Sequence, residues 1–141
     1  MPPIAAHPVR PDRPTLPTML WRGVRRRCAW CGGRGAFFTG WFRKQATCKT
    51  CGIGWHRGYE GFELGAMAIN AVVCFGLLIA GVGIGVVATL PDVAVLPLLL
   101  ILGVGAVVLP ILVYPFSYTV WQALDLAMHP PEPGDGTPPY R

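Results

Sequence analysis

Two Cys-x-x-Cys-Gly knuckles, Cys28-Ala-Trp-Cys31-Gly32 and Cys48-Lys-Thr-Cys51-Gly52, lie 16 residues apart and constrain this chain more than any other feature. Four thiolates at that spacing can converge tetrahedrally on one metal ion. An all-cysteine set leaves no coordination position for water or substrate, so the expectation is structural zinc without zinc catalysis. A segment of roughly 35 residues is too small to fold on its own core, and the metal has to contribute. Apparent binding free energies of about 10–16 kcal/mol are folding free energy in such units. The same tetrathiolate geometry suits rubredoxin-like iron; a redox dithiol or disulfides are the other readings. Gly32 and Gly52 supply the positive φ that lets backbone amides point at sulfur.

Between and after the knuckles, residues 35–39, 41–47 and 54–59 read as short strands bounded by Gly40 and Gly54, with Phe37, Phe38, Trp41, Trp55 and Tyr59 as a miniature core. Four cysteines already complete a tetrahedron, which makes His56 a surface or packing histidine. His7 and His129 belong to no constellation.

Charge is segregated along the chain. Residues 1–63 carry a formal +8 and residues 64–141 a formal −3. Leu64–Leu90 contains no charge in 27 residues and Val93–Leu124 none in 32. At about 1.5 Å per residue each is long enough to cross a hydrocarbon core of about 30 Å. The connection around Pro91-Asp92 has no cation, while the cysteine segment is basic, so both termini are expected in the cytoplasm by the positive-inside rule. That compartment is reducing and disfavours disulfides. Residues 1–22 hold six prolines and no apolar core, so no signal peptide is expected and folding begins at Met19-Leu20-Trp21.

The fold class expected is therefore an α-helical membrane protein, a two-helix transmembrane hairpin with an N-terminal cytoplasmic zinc-ribbon (small β) domain. Its parts are a disordered tail (1–20), the ribbon (21–59), junction and first span (60–90), external loop (91–96), second span with a continuation kinked or broken near Pro110 and Pro115 (97–128), and a second disordered tail (129–141). Gly76/Ala80 and Gly81/Gly85 would let the helices approach closely, Asn70 would hydrogen-bond between them, and Cys74 would pack unpaired. Glu63 suits the positive end of the first helix. Asp125 has no catalytic partner in the sequence, and Tyr114, Tyr118 and Trp121 read as an aromatic girdle.

Arg25, Arg26 and Arg27 run into the first knuckle. They suit anionic headgroups of the bilayer, the charge of a tetrathiolate site, or nucleic acid, for which Trp30, Phe37, Phe38, Trp41 and Phe42 could stack on bases. Arg25, Arg26, Arg27, Trp30, Trp41 and Asn70 are the candidate interaction residues.

The two knuckles, Arg57/Glu60-Gly61-Phe62, Gly65-Ala66-x-x-Ile69-Asn70 and Trp121-Gln-Ala-Leu124 followed by Met128-His129 together resemble the domain of unknown function 983 family over roughly residues 21–129. The resemblance implies a small bacterial protein of the inner (cytoplasmic) membrane with a zinc ribbon and two helices. It also implies a link to biogenesis of respiratory complexes, with cytochrome c oxidase subunits or assembly factors as partners. The chain departs from many members in lacking proline after the first cysteine of each knuckle. The leading expectation is a non-enzymatic docking or assembly module. The alternatives are a membrane-tethered nucleic-acid or ribosome-binding ribbon, and a redox or metal-handling protein.

Overall fold

The computed structural model describes residues 14–35, 37–56 and 61–131. Its order is α1 (Leu16–Val24), a cysteine-bearing module without regular elements, α2 (Phe62–Thr89) and α3 (Val95–Met128). Most of the expected N-terminal tail, most of the C-terminal tail and the end of the third expected strand lie outside the described residues.

The disordered tail is expected to reach residue 20, but a helix begins at Leu16. Pro17 sits in its first turn, where its missing N–H costs nothing, and Met19 and Gly23, four apart, form its buried face. The helix ends in a 6→1 bond from Arg27 N–H to Arg22 O and a bond from Arg26 N–H to Gly23 O, with Arg26 at φ 54°. This is a Schellman-type stop with arginine where glycine is usual. Gly23 lets α1 lie directly on α3: a Cβ there would sit 2.7 Å from Thr119 O and 3.3 Å from Val120 Cα. Thr119 Oγ1 donates to Gly23 O at 2.7 Å across the same crossing. Because the obstruction is backbone, Gly23→Ala is expected to push α1 off α3 at a cost of about 1–3 kcal/mol. Thermal unfolding of the purified variant in detergent measures it.

α2 and α3 run antiparallel, with Gly81 opposite Leu102, Gly85 opposite Leu98 and Gly105 opposite Leu78. Gly76, expected at the helix contact, faces open space instead. Asn70 donates from Nδ2 to Pro110 O at 3.1 Å, and Cys74 Sγ donates to Asn70 Oδ1 at 3.1 Å. α3 starts at Val95, two residues before the expected boundary, and puts Pro97 in its first turn. It continues without a break through Pro110 and Pro115. Proline at 115 deprives Ile111 O of its intrahelical donor, and the indole Nε1–H of Trp41 supplies the replacement at 2.7 Å.

The two helices are long and apolar enough to cross a membrane. Their large side chains are bare: Val72, Phe75, Ile79 and Val87 on α2 and Leu99, Ile101, Val104 and Val107 on α3 are all exposed. This changes near Tyr114. From Pro115 to Leu126, α3 buries Ser117, Tyr118, Thr119, Gln122, Ala123 and Asp125 against the rest of the protein. One helix thus has a naked half suited to lipid and a clothed half on which α1 and the cysteine module sit.

The expected ribbon strands are not seen as strands among the described residues. Isolated antiparallel bridges join Arg27 to Arg34, Phe38 to Lys44 and Thr47 to Gly54. A strand turns successive side chains to opposite faces, yet the adjacent Phe37 and Phe38 are both buried. Packing both rings against the helices takes precedence over extending a regular ladder.

Candidate metal centre and its seat on the helices

The two knuckles repeat one backbone design. Cys28 N–H donates to Gly33 O at 2.9 Å and Gly32 N–H to Cys28 O at 2.8 Å; Cys48 N–H donates to Ile53 O at 2.9 Å and Gly52 N–H to Cys48 O at 2.8 Å. Gly32 at φ 77° and Gly52 at φ 73° make the turns. They are the glycines whose freedom the fold uses here. Gly33 permits the knuckles to touch, since a Cβ there would lie 2.8 Å from Thr50 Cβ. Arg22 on α1 fastens the first knuckle by donating from Nη1 to Ala29 O at 3.2 Å and Trp30 O at 2.6 Å.

This brings the sulfurs of Cys28, Cys31, Cys48 and Cys51 within 4.8 Å of one another. The cross-knuckle separations are 3.9 Å for Cys28–Cys51 and 3.8 Å for Cys31–Cys48. A tetrahedral ion with metal–sulfur bonds of about 2.3 Å requires edges of about 3.8 Å, so the donor set fits a tetrathiolate metal ion. Gly33 N–H points at Cys31 Sγ at 3.3 Å, and the amides of Thr50 and Cys51 act on Cys48. Such donors favour sulfur in its charged form. The sulfurs cannot all ionise side by side on their own. Hydrogen bonding to Cys48 and Cys51 pushes the Cys28 thiol far up, and the bond from Cys28 holds Cys48 far down. At Cys51 the bond from Cys28 pulls down, but Cys48 and burial outweigh it and leave the thiol at about 12. A cation among them removes this conflict.

The module rests on the helices through aromatic rings. Phe37 lies 4.9 Å from Phe38, 4.9 Å from Trp55, 6.0 Å from Phe62 of α2 and 5.6 Å from Tyr118 of α3, centroid to centroid. Phe38 meets Tyr114 at 5.8 Å, Phe42 meets Tyr114 at 5.5 Å, and Trp41 meets Phe116 at 6.4 Å. These distances are those of favourable ring pairs, near-parallel for Phe37–Phe62 and tilted or edge-on for the others.

A polar clasp stands beside the rings. Lys44 Nζ lies 3.0 Å from both oxygens of Glu63 at the start of α2 and 3.1 Å from the hydroxyl of Tyr118, which itself donates to Glu63 Oε2. His56 Nε2 lies 3.7 Å from Glu63, and its ring edge meets Phe62. Burial pulls the Lys44 ammonium toward neutrality, but its bonds to Glu63 and Tyr118 outweigh that and raise its pKa. A raised pKa means that the contribution of Lys44 is whole at neutral pH, below its unfolded value of about 10.4, and fades only as pH climbs through the higher folded value. The pair is a third exposed, so Lys44→Gln is expected to cost about 0.5–1 kcal/mol at pH 8, with the difference from the parent vanishing in strongly alkaline solution. Denaturation midpoints at both pH values check it. The sequence alone reads Glu63 as a helix-end acid and Tyr118 as a girdle residue and does not join them to Lys44. The available signal was Glu63, an acid opening a charge-free run on a cationic head.

The candidate interaction residues separate by role. Arg25, Arg26 and Arg27 gather with Arg34, while Trp30 is half-buried beside Arg22. Trp41 is tied to α3, and Asn70 works inside the helix pair. Asp125 and His129 approach to 3.4 Å one turn apart, a juxtaposition not anticipated for either. Compared with known proteins, the chain matches no family model, no curated protein and no solved structure.

Proposed function

We propose that this chain is a non-enzymatic, membrane-anchored docking module whose four cysteines hold a structural zinc ion. The observation that carries the reading is the closed four-sulfur cluster seated by Phe37, Phe38 and Lys44 on the clothed end of two otherwise bare helices. Zinc suits four thiolates in a reducing compartment, and with four cysteine ligands it has a role in folding rather than in activating water. The charge asymmetry favours a cytoplasmic head and two crossings. On this reading the head holds its exposed surface at a fixed height above the membrane for a protein partner. The resemblance to the domain of unknown function 983 family points to respiratory-complex subunits or assembly factors in a bacterial inner membrane.

A nucleic-acid role is less favoured. Of the rings available for base stacking, Phe37 and Phe38 are buried, and Trp41 is committed to Ile111 and Phe116. Affinity purification of the tagged chain in mild detergent, followed by mass spectrometry, tests the docking role. Specific recovery of respiratory subunits or their assembly factors is expected. Recovery of the protein alone, together with normal oxidase assembly in a deletion strain, would contradict it.

A further inference from the structure

A cleft of about 390 Å³ is lined by Arg25, Arg26, Arg27, Arg34, Gly35 and Phe38. Two of the arginines face each other across the bridge that closes the first knuckle, and two come from the end of α1. Among the described residues none of the four has a carboxylate partner; the ion pairs found there engage Lys44, His56 and His129. Arg25 also lies over the Trp21 ring, 4.3 Å from its centroid, and four cationic residues lining one cleft without a carboxylate give it a potential that favours an anion.

Arg26 shows most clearly that the arrangement is specified. It holds a left-handed backbone that glycine would adopt at lower cost, and its Nε is buried without a hydrogen-bond partner. Its Nη2 donates to Gly40 O at 3.0 Å, and its guanidinium lies 5.2 Å from the Trp41 ring and 5.9 Å from the Phe38 ring.

The position of the cleft adds a second constraint. Trp41, under Arg26, is bonded to Ile111, and within a few residues of Ile111 the bare half of α3 gives way to the clothed half. Beside it Phe42 is 61% exposed, as expected of a ring dipping into an interface. The cleft therefore lies at the height of lipid phosphates if the bare helices lie in lipid.

We propose that this cleft is a phosphate-binding site, taking the phosphate of an anionic lipid headgroup or free phosphate. Arginine forks match phosphate oxygens bidentately, and guanidinium is weakly hydrated enough to give up water at an interface. The site rests on the membrane seating in the proposed function but is independent of any docking partner.

The test is native mass spectrometry of the full chain in mild detergent, with added phosphatidylglycerol or phosphatidylcholine of matched acyl chains, and with inorganic phosphate in a separate arm. Phosphatidylglycerol is expected to be retained about tenfold over phosphatidylcholine and to be displaced by inorganic phosphate. The exposed pair Arg25→Gln/Arg34→Gln is expected to lose that preference while keeping its metal; Arg25→Lys/Arg34→Lys is expected to keep part of it. Binding of inorganic phosphate without a lipid preference supports the site and assigns it a soluble ligand. Equal retention of both lipids with no phosphate binding overturns the proposal, as does an oligonucleotide binding where neither phosphate nor phosphatidylglycerol competes. If the glutamine pair loses its metal, the competition on the parent protein decides alone.

Discussion

Cys48→Ser is expected to abolish stoichiometric metal binding and to unfold the module between residues 25 and 56 while α2 and α3 remain helical. Cys48 is 2% exposed and is one of the four clustered sulfurs, 3.8 Å from Cys31. A structural zinc ion contributes about 10–16 kcal/mol in comparable small units, and one held here would equal or exceed the entire stability of an ordinary domain at about 5–15 kcal/mol. Losing a ligand therefore removes more than the remaining contacts can replace. The helices keep their own backbone hydrogen bonds and the apolar surface suited to lipid, so helical content is expected to fall only slightly. Metal analysis, circular dichroism and limited proteolysis of the variant read these together. Cleavage is expected throughout the module and not within α2 or α3. A strong chelator should reproduce the effect on the parent protein.

Phe37→Ala is expected to cost about 3–5 kcal/mol, the usual range for deleting a buried ring, but with a different signature. Phe37 is 1% exposed and touches Phe38, Trp55, Phe62 and Tyr118, so it belongs to the module and to both long helices at once. The knuckles are closed by their own backbone bonds and do not depend on this ring. The variant should therefore retain its metal while the head loosens from its seat, giving a lower thermal midpoint and faster proteolysis between the knuckles. Phe42→Ala is the control, since that ring is mostly exposed and its loss should cost about 0.5 kcal/mol or less. Equal effects of the two substitutions would contradict the seating described above.

The parts of the structure readable in the sequence are those written in local spacing. Two Cys-x-x-Cys-Gly units specify a sulfur cluster wherever the intervening chain runs, and runs of 27 and 32 uncharged residues specify long apolar helices. Asn70, polar in an apolar run, similarly advertises a hydrogen bond to another helix. What was hidden depends on residues far apart in the chain. Trp41 and Ile111 are separated by 70 positions, and nothing in either neighbourhood marks Ile111 O as an acceptor until Pro115 is seen to orphan it. The Lys44–Glu63–Tyr118 clasp is hidden for the same reason. α1 escaped because its prolines suggest disorder, whereas Pro17 is tolerated in a first turn and Gly23 earns its place only when α3 is present to lie against. The expected strands appear among the described residues only as isolated bridges, and the adjacent phenylalanines both turn inward, a pattern that period-two reasoning cannot accommodate.

The most direct measurement is X-ray absorption at the metal edge on the full chain purified in detergent, combined with elemental analysis. One metal ion per chain with four sulfur neighbours at about 2.3 Å is the result expected from the sulfur geometry, and zinc is the ion the proposed function names. Nitrogen or oxygen in place of any of the four sulfurs, or a metal content unchanged when Cys28, Cys31, Cys48 and Cys51 are replaced by serine, would contradict a head held together by its cysteines.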